Sequence, residues 1–583
     1  MNNGVFRRLL LGFLAGAASC WVLASSCDQK NLGVLFGLAL GVAFGLALVP
    51  APGAYLEMIM TSATMGVPLW GLISIIVLPL SRREEPLWTA VGMRDQFPEL
   101  IGWLLYGALV GFLIQAMTDL TDRFLGPVRE AAPPVPSVRC RVLILGGGFG
   151  GASTAEHLER EFGSDPSVSL TLVSETNAFL FTPMLAEVAG SSLEATHIST
   201  PLRTTLKRTQ VVRGEVVWID LEKREVHLAP EAPVSGDAPN AEPPGPGKVL
   251  SYDQLVLALG SVSNYLGLEN VEQEAFNFKS LADAIAIRNR VIDLFERADR
   301  EPQAESRKAM LTFVVAGGGF AGAELAGALN DLTRGMLAYY LNLRAEELHV
   351  ILVHSGQRIL PELSEPLAAY ALDRMAERGV VFKLNVRVKD ARRGAVLLSS
   401  DEEIRTETLV WTAGTAPNPL LTHLRCGKDK RGAVIVDETL AVPGHPGVWA
   451  LGDCASIPDR KGKTCPPTAQ FALREARQVA RNIRATLEGR APVPFRFKSL
   501  GMLCVVGHHT ACAEIRGLRF SGLFAWFLWR FVYLMKLPGL ERRVRVVIDW
   551  TIDLFFPRDI VQTIDLAPSG SKQQGVADAV EKS

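Results

Sequence analysis

The chain has 583 residues, enough for two to four domains, and a formal net charge of −1, which gives no electrostatic basis for a nucleic-acid partner. Its 8 cysteines form no C-x-x-C motif and no Cys/His cluster with zinc-ligand spacing, so the sequence predicts no metal site. The mean hydropathy of +0.19 is high for a soluble protein, and the excess of apolar residues lies near the N-terminus.

Residues 1–125 are predicted to form an all-α transmembrane region of about four helices. The apolar segments have lengths near the roughly 20 residues that cross a bilayer, and they lie at about 9–25, 32–49, 58–80 and 99–117. The first segment follows Arg7 and Arg8 and also fits a cleaved signal peptide, and this alternative stays open. Glu57 lies at the edge of a predicted span and no predicted span has a carboxylate in its interior, which argues against a proton path through this region. Residues 126–138 are rich in proline and predict a semi-extended linker.

A glycine motif follows the linker. Residues 142–159, VLILGGGFGGASTAEHLE, lead from an apolar strand through Gly146, Gly148 and Gly151 into a helical pattern. The first glycine of G-x-G-x-x-G allows a tight turn, the second admits a pyrophosphate, and the third lets helix and strand pack closely. The sequence therefore predicts a dinucleotide site at this turn.

The same pattern recurs at residues 312–329, TFVVAGGGFAGAELAGAL, with Gly317, Gly319 and Gly322. Two nucleotide-binding halves in one chain indicate one bound cofactor and one exchangeable cofactor. A duplicated fold with one inactive site is the alternative.

The strand after the first motif, LTLVSETN (170–177), is expected to end on an acidic residue that binds the adenosine ribose. Glu175 is the candidate, 24 residues after Gly151. Two alternatives remain: Ser174 occupies that structural position, or Glu175 is a solvated loop carboxylate.

The segment FLFTPMLAEVAG (179–190) resembles the stretch after the FAD ribose strand of type II NADH dehydrogenases. These enzymes are single-chain, non-pumping NADH:quinone oxidoreductases. The resemblance extends over about residues 140–562 and leaves out the membrane region. It implies an α/β fold of the pyridine nucleotide-disulfide oxidoreductase type, with two Rossmann-like FAD/NAD(P)-binding domains between the transmembrane region and C-terminal amphipathic helices. The expected boundaries are an FAD-binding domain at 139–275 and 421–500, an NAD(P)-binding domain at 276–420, a membrane-anchoring region at 501–565 and a disordered tail at 566–583.

The resemblance also implies roles for two residues of the second nucleotide-binding half. Glu324 would lie near the nicotinamide and the flavin, although a glutamate in a first helical turn also fits simple helix stabilisation. His354 stands where the family usually has the glutamate that binds the NADH ribose. Because a carboxylate would repel a 2′-phosphate, its loss makes NADPH as well as NADH an expected substrate.

Two later segments resemble the flavin and quinone motifs of the family. In GVWALGDCAS (447–456), Asp453 would bind the flavin ribitol. In CPPTAQFALREARQVARNI (465–483), Gln470 matches the A-Q-x-A-x-Q quinone pattern, whereas Arg474 replaces its second glutamine. An ordinary solvated helix face would also place two polar residues at this spacing.

The C-terminal segments after residue 518 alternate aromatic and basic residues, which predicts helices lying at a lipid surface. The expected function is therefore electron transfer from NADH or NADPH through FAD to a membrane quinone. Because arginine and lysine are balanced between the predicted sides, orientation rests on the supply of reduced nicotinamide. This places the flavoprotein part on the cytoplasmic side of the inner membrane, and homodimer formation is left open.

Two alternative functions remain. A sulfide:quinone oxidoreductase would need cysteines beside the flavin, and residues 141–425 contain none. A membrane redox sensor or scaffold that binds FAD and turns over slowly is the other.

Overall fold

The computed structural model describes residues 3–26, 30–48, 54–81, 84, 97–125, 138–163, 165–230, 247–459 and 462–562. The chain forms two compact units, Met1–Val135 and Pro136–Ser583. The predicted disordered tail lies outside the described residues, as does the predicted linker except for Val138.

The first unit is helical, as predicted. Its helices are α1 (Asn3–Ser26), α2 (Lys30–Ala47), α3 (Tyr55–Trp70), a π-helical segment (Gly71–Val77), α4 (Leu78–Ser81) and α5 (Phe97–Leu125). Within the described residues, two segments have the length and composition of a membrane span, Tyr55–Leu80 and Pro98–Thr121. The apolar parts of α1 and α2 are shorter, Leu9–Leu23 and Gly37–Leu46. The number of spans therefore stays a prediction.

Small residues allow the first helices to pack closely. A Cβ atom on Gly41 would lie 2.4 Å from the Cα atom of Gly16, so the two backbones meet at these glycines. Buried polar side chains are satisfied across the helices: the Tyr106 hydroxyl donates to the Gly37 carbonyl, and Trp103 Nε1 donates to Ser74 Oγ at 3.1 Å.

The second unit is a mixed α/β body. Its strands are β1 (Cys140–Leu145), β2 (Val168–Ser174), β3 (Ala178–Leu180), β4 (Ser199–Pro201), β5 (Gln210–Arg213), β6 (Val216–Asp220), β7 (Glu225–Leu228), β8 (Val249–Ser251), β9 (Gln254–Leu257), β10 (Ser261–Ser263), β11 (Thr312–Ala316), β12 (His349–His354), β13 (Val380–Leu384), β14 (Val388–Arg392), β15 (Ala395–Leu398), β16 (Glu403–Arg405), β17 (Thr408–Trp411), β18 (Thr415–Pro417), β19 (Val434–Ile435), β20 (Val448–Ala450), β21 (Ala455–Ser456), β22 (Gly501–Gly507), β23 (Thr510–Ile515) and β24 (Leu518–Ser521).

Helices cover these sheets. They are α6 (Phe149–Phe162), α7 (Leu185–Ala189), α8 (Leu202–Thr205), α9 (Glu269–Glu274), α10 (Leu281–Arg300), α11 (Ala304–Met310), α12 (Phe320–Met336), α13 (Glu365–Glu377), α14 (Ala469–Leu487), α15 (Gly522–Lys536) and α16 (Leu540–Phe555). The helix expected at 465–483 begins only at Ala469, after two prolines.

Two parallel sheets form the frame of this unit. The first has the strand order β5-β2-β1-β9-β20, and the second has the order β13-β12-β11-β17. In each sheet the strand that precedes a glycine motif, β1 or β11, is an inner strand. Later strands of the chain lie on both of its sides, so the strand order reverses there. In such sheets the crevice at the carboxyl ends of the strands, where the order reverses, is the usual nucleotide site. The two expected Rossmann-like domains are therefore present.

The C-terminal part adds an element that the sequence pattern did not predict. Strands β22, β23 and β24 form an antiparallel sheet between the nucleotide-binding body and the last two helices. Helices α15 and α16 bury Trp526, Trp529 and Trp550 against the body and expose other large apolar side chains.

Candidate active site

The first glycine turn forms a cradle at the start of α6. Gly146 has φ of +110°, and a Cβ atom on Gly151 would lie 1.8 Å from the Gly146 carbonyl oxygen, so both positions require glycine. A Cβ atom on Gly148 would meet no atom within 4 Å in the described residues. This open space faces the helix N-terminus, where a pyrophosphate fits.

The predicted ribose residue follows β2 and is exposed to solvent. Glu175 lies one residue beyond the end of the strand, and its carbonyl oxygen accepts a hydrogen bond from Arg213 Nε at 3.4 Å. Ser174 is buried beneath the glycine turn, where a Cβ atom on Gly147 would come within 2.4 Å of its Oγ. The structure therefore separates the two candidates, with Ser174 under the cradle and Glu175 at its edge.

Asp453 lies in a tight turn beside the same sheet. Its Oδ2 atom accepts a hydrogen bond from Ser261 Oγ at 2.8 Å, and Lys279 Nζ donates to the same Ser261 hydroxyl at 2.9 Å. Burial lowers the pKa of Lys279, and the charge of Asp453 acts in the opposite direction. The aspartate expected at the flavin ribitol is thus held by a serine and a lysine.

Glu475 of α14 stabilises the turn that contains Asp453 through a hydrogen bond to the backbone of the turn. Its Oε2 atom accepts a hydrogen bond from the Gly452 amide at 2.8 Å, while Gly452 adopts φ of +71°. The side chain is buried, and burial raises the pKa of Glu475 to about 7. Sequence reasoning missed this residue, because a glutamate among arginines in an amphipathic helix looks solvated. Its only signal is the apolar neighbours Ala472, Ala476 and Val479.

The second glycine turn repeats the geometry of the first. Gly317 has φ of +118°, and a Cβ atom on Gly322 would lie 1.8 Å from the Gly317 carbonyl oxygen. The nearest atom to a Cβ atom built on Gly319 is Glu362 Oε1, at 3.9 Å. Both cradles therefore leave room for the pyrophosphate of a dinucleotide, which is the fit that a bound FAD and an exchangeable NAD(P)H require.

His354 ends β12 and packs under the second turn. Its Nδ1 atom accepts a hydrogen bond from the Gly318 amide at 3.1 Å, so the neutral ring carries its proton on Nε2. Burial lowers the pKa of His354, against the opposing charge of Glu362 and a hydrogen bond to the Arg358 backbone. The residue predicted at the ribose position therefore also supports the glycine turn.

Two carboxyl groups lie close together behind the second cradle. Glu324, in the first turns of α12, accepts a hydrogen bond from the Val505 amide at 3.3 Å. Glu187 of α7 accepts one from Trp550 Nε1 at 3.1 Å. Burial raises the pKa of Glu324 to about 8 and that of Glu187 to about 7, and the charge of Glu187 contributes to the first shift. Sequence reasoning did not select Glu187, although a lone carboxylate in FLFTPMLAEVAG was a usable signal.

Gln470 is tied to the chain that enters β22. Its Nε2 atom donates to Ser499 Oγ at 2.9 Å and to the Gly501 carbonyl at 3.2 Å, and its Oε1 atom accepts from the Leu500 amide at 3.3 Å. The amide predicted to bind a quinone carbonyl is thus already used by the protein. Strand β22 connects this contact to Glu324 through Val505.

Arg474 lies one turn further along α14. Its guanidinium carbon lies 5.0 Å from the centre of the Phe497 ring, and Nη1 donates to the Gln470 carbonyl at 3.3 Å. Burial and the charge of Arg474 together lower the pKa of Lys536, at the end of α15. The structure thus brings Arg474 close to a second cation, which the sequence did not predict.

Comparisons with known proteins agree with this arrangement. Residues 140–476 match the pyridine nucleotide-disulphide oxidoreductase family, and residues 500–559 match the NDH2 C-terminal domain. The chain is 31% identical over 449 residues to a type II NADH:quinone oxidoreductase of Mycobacterium tuberculosis, covering 74% of this chain and 92% of that protein. It is 28% identical over 418 residues to the demethylphylloquinone reductase of Synechocystis, covering 71% and 96%.

Solved structures give the same fold. NDH2 from Plasmodium falciparum, solved in complex with NADH, has a TM-score of 0.66 at 19% identity and covers 73% of this chain and 100% of that chain. The sulfide:quinone oxidoreductase from Aquifex aeolicus has a TM-score of 0.54 at 18% identity and covers 72% and 96%. The sequence identities to these two solved structures are low, so the structures establish only that the fold is shared. The family match over more than half of the chain and the mycobacterial alignment establish more: this chain belongs to the type II NADH:quinone oxidoreductase family of enzymes, within the pyridine nucleotide-disulphide oxidoreductases.

Proposed function

We propose that the protein is an FAD-dependent NAD(P)H:quinone oxidoreductase that passes two electrons from NADH or NADPH to a membrane quinone without pumping protons. The observation that carries the proposal is the pair of glycine cradles in one body, each with open space over a helix N-terminus. The name of the mycobacterial relative supplies the substrates NADH and quinone by analogy.

The first cradle would hold FAD, which accepts a hydride from the nicotinamide and passes its two electrons to the quinone. Gly146, Gly148 and Gly151 admit the pyrophosphate, and Glu175 borders the ribose position. Asp453 offers its carboxylate to the ribitol, oriented by Ser261 and by the turn that Glu475 holds.

The second cradle would bind the reduced nicotinamide nucleotide through Gly317, Gly319 and Gly322. Glu324 borders the nicotinamide position. His354 places a neutral ring where a carboxylate would discriminate against a 2′-phosphate, which supports the use of NADPH as well as NADH.

The quinone would approach α14 from the side of the C-terminal helices. Arg474 offers a guanidinium to a quinone oxygen, and Lys536 adds a second positive charge. Gln470 then acts mainly by holding residues 499–501 in place. Tyr533 packs against Phe181, with ring centres 6.0 Å apart, and adds an apolar surface beside this approach.

The C-terminal helices support a membrane location. Together α15 and α16 expose a row of large apolar side chains: Leu523, Phe524, Phe527, Phe531, Met535, Val544, Val547, Ile548, Ile552, Leu554 and Phe555. Such a surface, flanked by Arg542 and Arg545, suits insertion into a lipid headgroup region. The apolar helices of the first unit would anchor the chain further, with the flavoprotein part on the cytoplasmic face of the inner membrane, where reduced nicotinamide is available.

Sulfide oxidation is less well supported. It would need an accessible thiol beside the flavin, and Cys454 is buried, with its pKa raised to about 11 by that burial.

The test is spectroscopic and uses the full chain in detergent with lipid. The protein should be yellow, bleach on adding NADH or NADPH, and recolour on adding a quinone. Gly148→Val should be colourless, because its side chain would fill the pyrophosphate space, whereas Gly335→Val, also in open space but far from the cradles, should stay yellow. A Gly148→Val protein with full FAD content would refute the cofactor site. Bleaching without recolouring would favour the redox sensor.

A further inference from the structure

A small cavity lies behind the second nucleotide cradle, between α7, α12, α15 and α16. Its volume is about 30 Å³. Glu187 and Glu324 line it together with Asp331, His508, Asp553 and Arg558. The buried carboxyl groups therefore share one small space with these ionisable side chains.

A buried nitrogen atom indicates that this cavity contains water. Arg530 Nε belongs to a residue that lines the cavity, and it has no hydrogen-bond partner within the described part of the chain. Buried polar groups rarely stay unpaired, and a polar cavity of this volume holds about one or two water molecules.

A solvent-facing cleft of about 490 Å³ adjoins the cavity. Its outer wall includes Arg334, Tyr339 and Phe556, and it shares four lining residues with the cavity. These four, which we call the wall residues, are Asp331, His508, Asp553 and Arg558. The wall residues therefore border both the cleft and the cavity that the buried carboxyl groups line.

The wall residues form a continuous hydrogen-bonded and ionic chain. Arg558 pairs with Asp553 at 3.3 Å and with Asp331 at 3.7 Å, and the His508 amide donates to Asp331 Oδ2 at 2.6 Å. On the cavity side Arg530 Nη2 lies 3.8 Å from Asp553 Oδ2. The side chains of Asp331 and Asp553 are only 7% and 6% exposed, so both carboxylates are held inside the protein.

The reaction proposed above consumes a proton. A hydride from NADH supplies both electrons and one proton to the quinone, and the quinol needs a second proton: NADH + H⁺ + quinone → NAD⁺ + quinol. We propose that the wall residues are the inlet for this second proton, which passes through the cavity water to Glu187 and Glu324. The inference rests on the proposed function, since it needs a quinone as the acceptor.

The electrostatics of the carboxyl pair support the route. Burial raises the pKa of both glutamates towards neutrality, so each gains and loses a proton easily near pH 7. The charged or titratable groups that face Glu187 are Arg530, Asp553 and Arg558. Those that face Glu324 are Glu187, Cys504 and Tyr533. Asp331 is also buried, which raises its pKa against the charges of Arg558 and Arg378.

The test compares two electron acceptors with the FAD-loaded full chain. Asp553→Asn should slow both quinone-driven flavin reoxidation and proton uptake, measured with a pH-indicator dye, by about tenfold or more. Flavin reduction by NADH should be unchanged, as should reoxidation by ferricyanide, which takes electrons without protons. Asp553→Glu should restore the rate. The control Asp549→Asn alters a carboxylate of the same helix that pairs with His197 away from the cavity, and it should have no effect on proton uptake.

Two further measurements distinguish loss of the proton route from misfolding of the variant and from failure of the proposed function. Ser192→Leu fills the cavity without breaking an ion pair and should slow proton uptake in the same way. The second measurement is the rate of hydrogen–deuterium exchange at the protonated carboxyl groups of the resting protein, followed by the shift of their infrared band in D₂O. This exchange should be slow in Asp553→Asn and Ser192→Leu and fast in the parent chain. Parent-like quinone kinetics and isotope exchange in both variants would overturn the inlet. A parent enzyme that does not reduce quinone would instead overturn the proposed function.

Discussion

His354 and Gly318 are joined by a hydrogen bond of 3.1 Å from the glycine amide to the ring Nδ1 atom. The histidine at the end of β12 therefore supports the turn that would carry the pyrophosphate. The bond requires a neutral ring, and burial keeps the pKa of His354 below its usual value. We therefore expect nucleotide choice and the shape of the turn to depend on the same side chain.

We predict that His354→Glu shifts the preference towards NADH. A carboxylate hydrogen bond to a ribose hydroxyl contributes roughly 1.5–3 kcal/mol, which corresponds to about tenfold or more in the ratio of kcat/KM for NADH to that for NADPH. Steady-state kinetics with both nucleotides measure the ratio. Gln357→Glu is the control, because it adds the same charge at an exposed position three residues away. An unchanged ratio in His354→Glu would mean that β12 does not face the ribose.

The membrane surface gives a second prediction. Phe527 and Phe531 lie one turn apart on α15 and are 57% and 63% exposed. Changing both to glutamate should slow reduction of a long-chain quinone held in the bilayer, because charged groups disfavour insertion of the helix. Reduction of a short-chain, water-soluble quinone should change little. The control is Leu341→Glu, at a residue that is 95% exposed in a turn outside the C-terminal helices. Equal loss with both quinones would show that the double change damages the site itself.

The parts that could be predicted from sequence are those whose determinants are close together in the chain. Each glycine cradle is built from a strand, a turn and a helix within about twenty residues, so the spacing of Gly146, Gly148 and Gly151 was sufficient. The same holds for the second cradle and for the C-terminal helices. Their roles with cofactor, quinone and lipid stay predictions.

The parts that escaped prediction depend on contacts that the local pattern does not show. Glu187 matters because it meets Trp550, more than three hundred residues away, and Glu475 because it meets Gly452, 23 residues earlier. The apolar neighbours of Glu475 were the only sign in α14 that this side chain is buried. The sheet β22-β23-β24 was missed because its strands lack a clean alternation of apolar and polar residues.

Glu475 leads to a prediction about pH and stability. Burial raises its pKa from 4.5 to about 7, so the folded state holds a proton that the unfolded state releases. Stability should therefore fall as the pH rises from about 5 to 7, by up to about 3 kcal/mol from this group. Glu475→Gln keeps an oxygen for the Gly452 amide and should melt higher than the parent at pH 8 and equally at pH 5.

Thermal unfolding at several pH values measures this effect. Glu488→Gln lies at the exposed end of the same helix and should leave the pH dependence unchanged, since surface ion pairs contribute little. A parallel pH profile for Glu475→Gln and the parent would show that Glu475 is charged in the folded protein.

The last prediction concerns the two polar residues of α14 on the quinone side. The Gln470 amide makes hydrogen bonds to residues 499–501, whereas the Arg474 guanidinium packs on Phe497 beside Lys536. Arg474→Gln removes the charge but keeps a polar side chain. It should raise the KM for quinone and slow flavin reoxidation, because a charge-assisted hydrogen bond to the quinone oxygen is lost.

Gln470→Leu should also slow reoxidation, and it should lower the melting temperature because the Ser499, Leu500 and Gly501 contacts are lost together. Stopped-flow absorbance resolves the two half-reactions, and flavin reduction by NADH should stay near the parent rate in both variants. Arg477→Gln, at an exposed position of the same helix, serves as the control. If either α14 variant slows flavin reduction and spares reoxidation, the quinone does not approach from α14, and the nucleotide and quinone sides of the flavin must be exchanged.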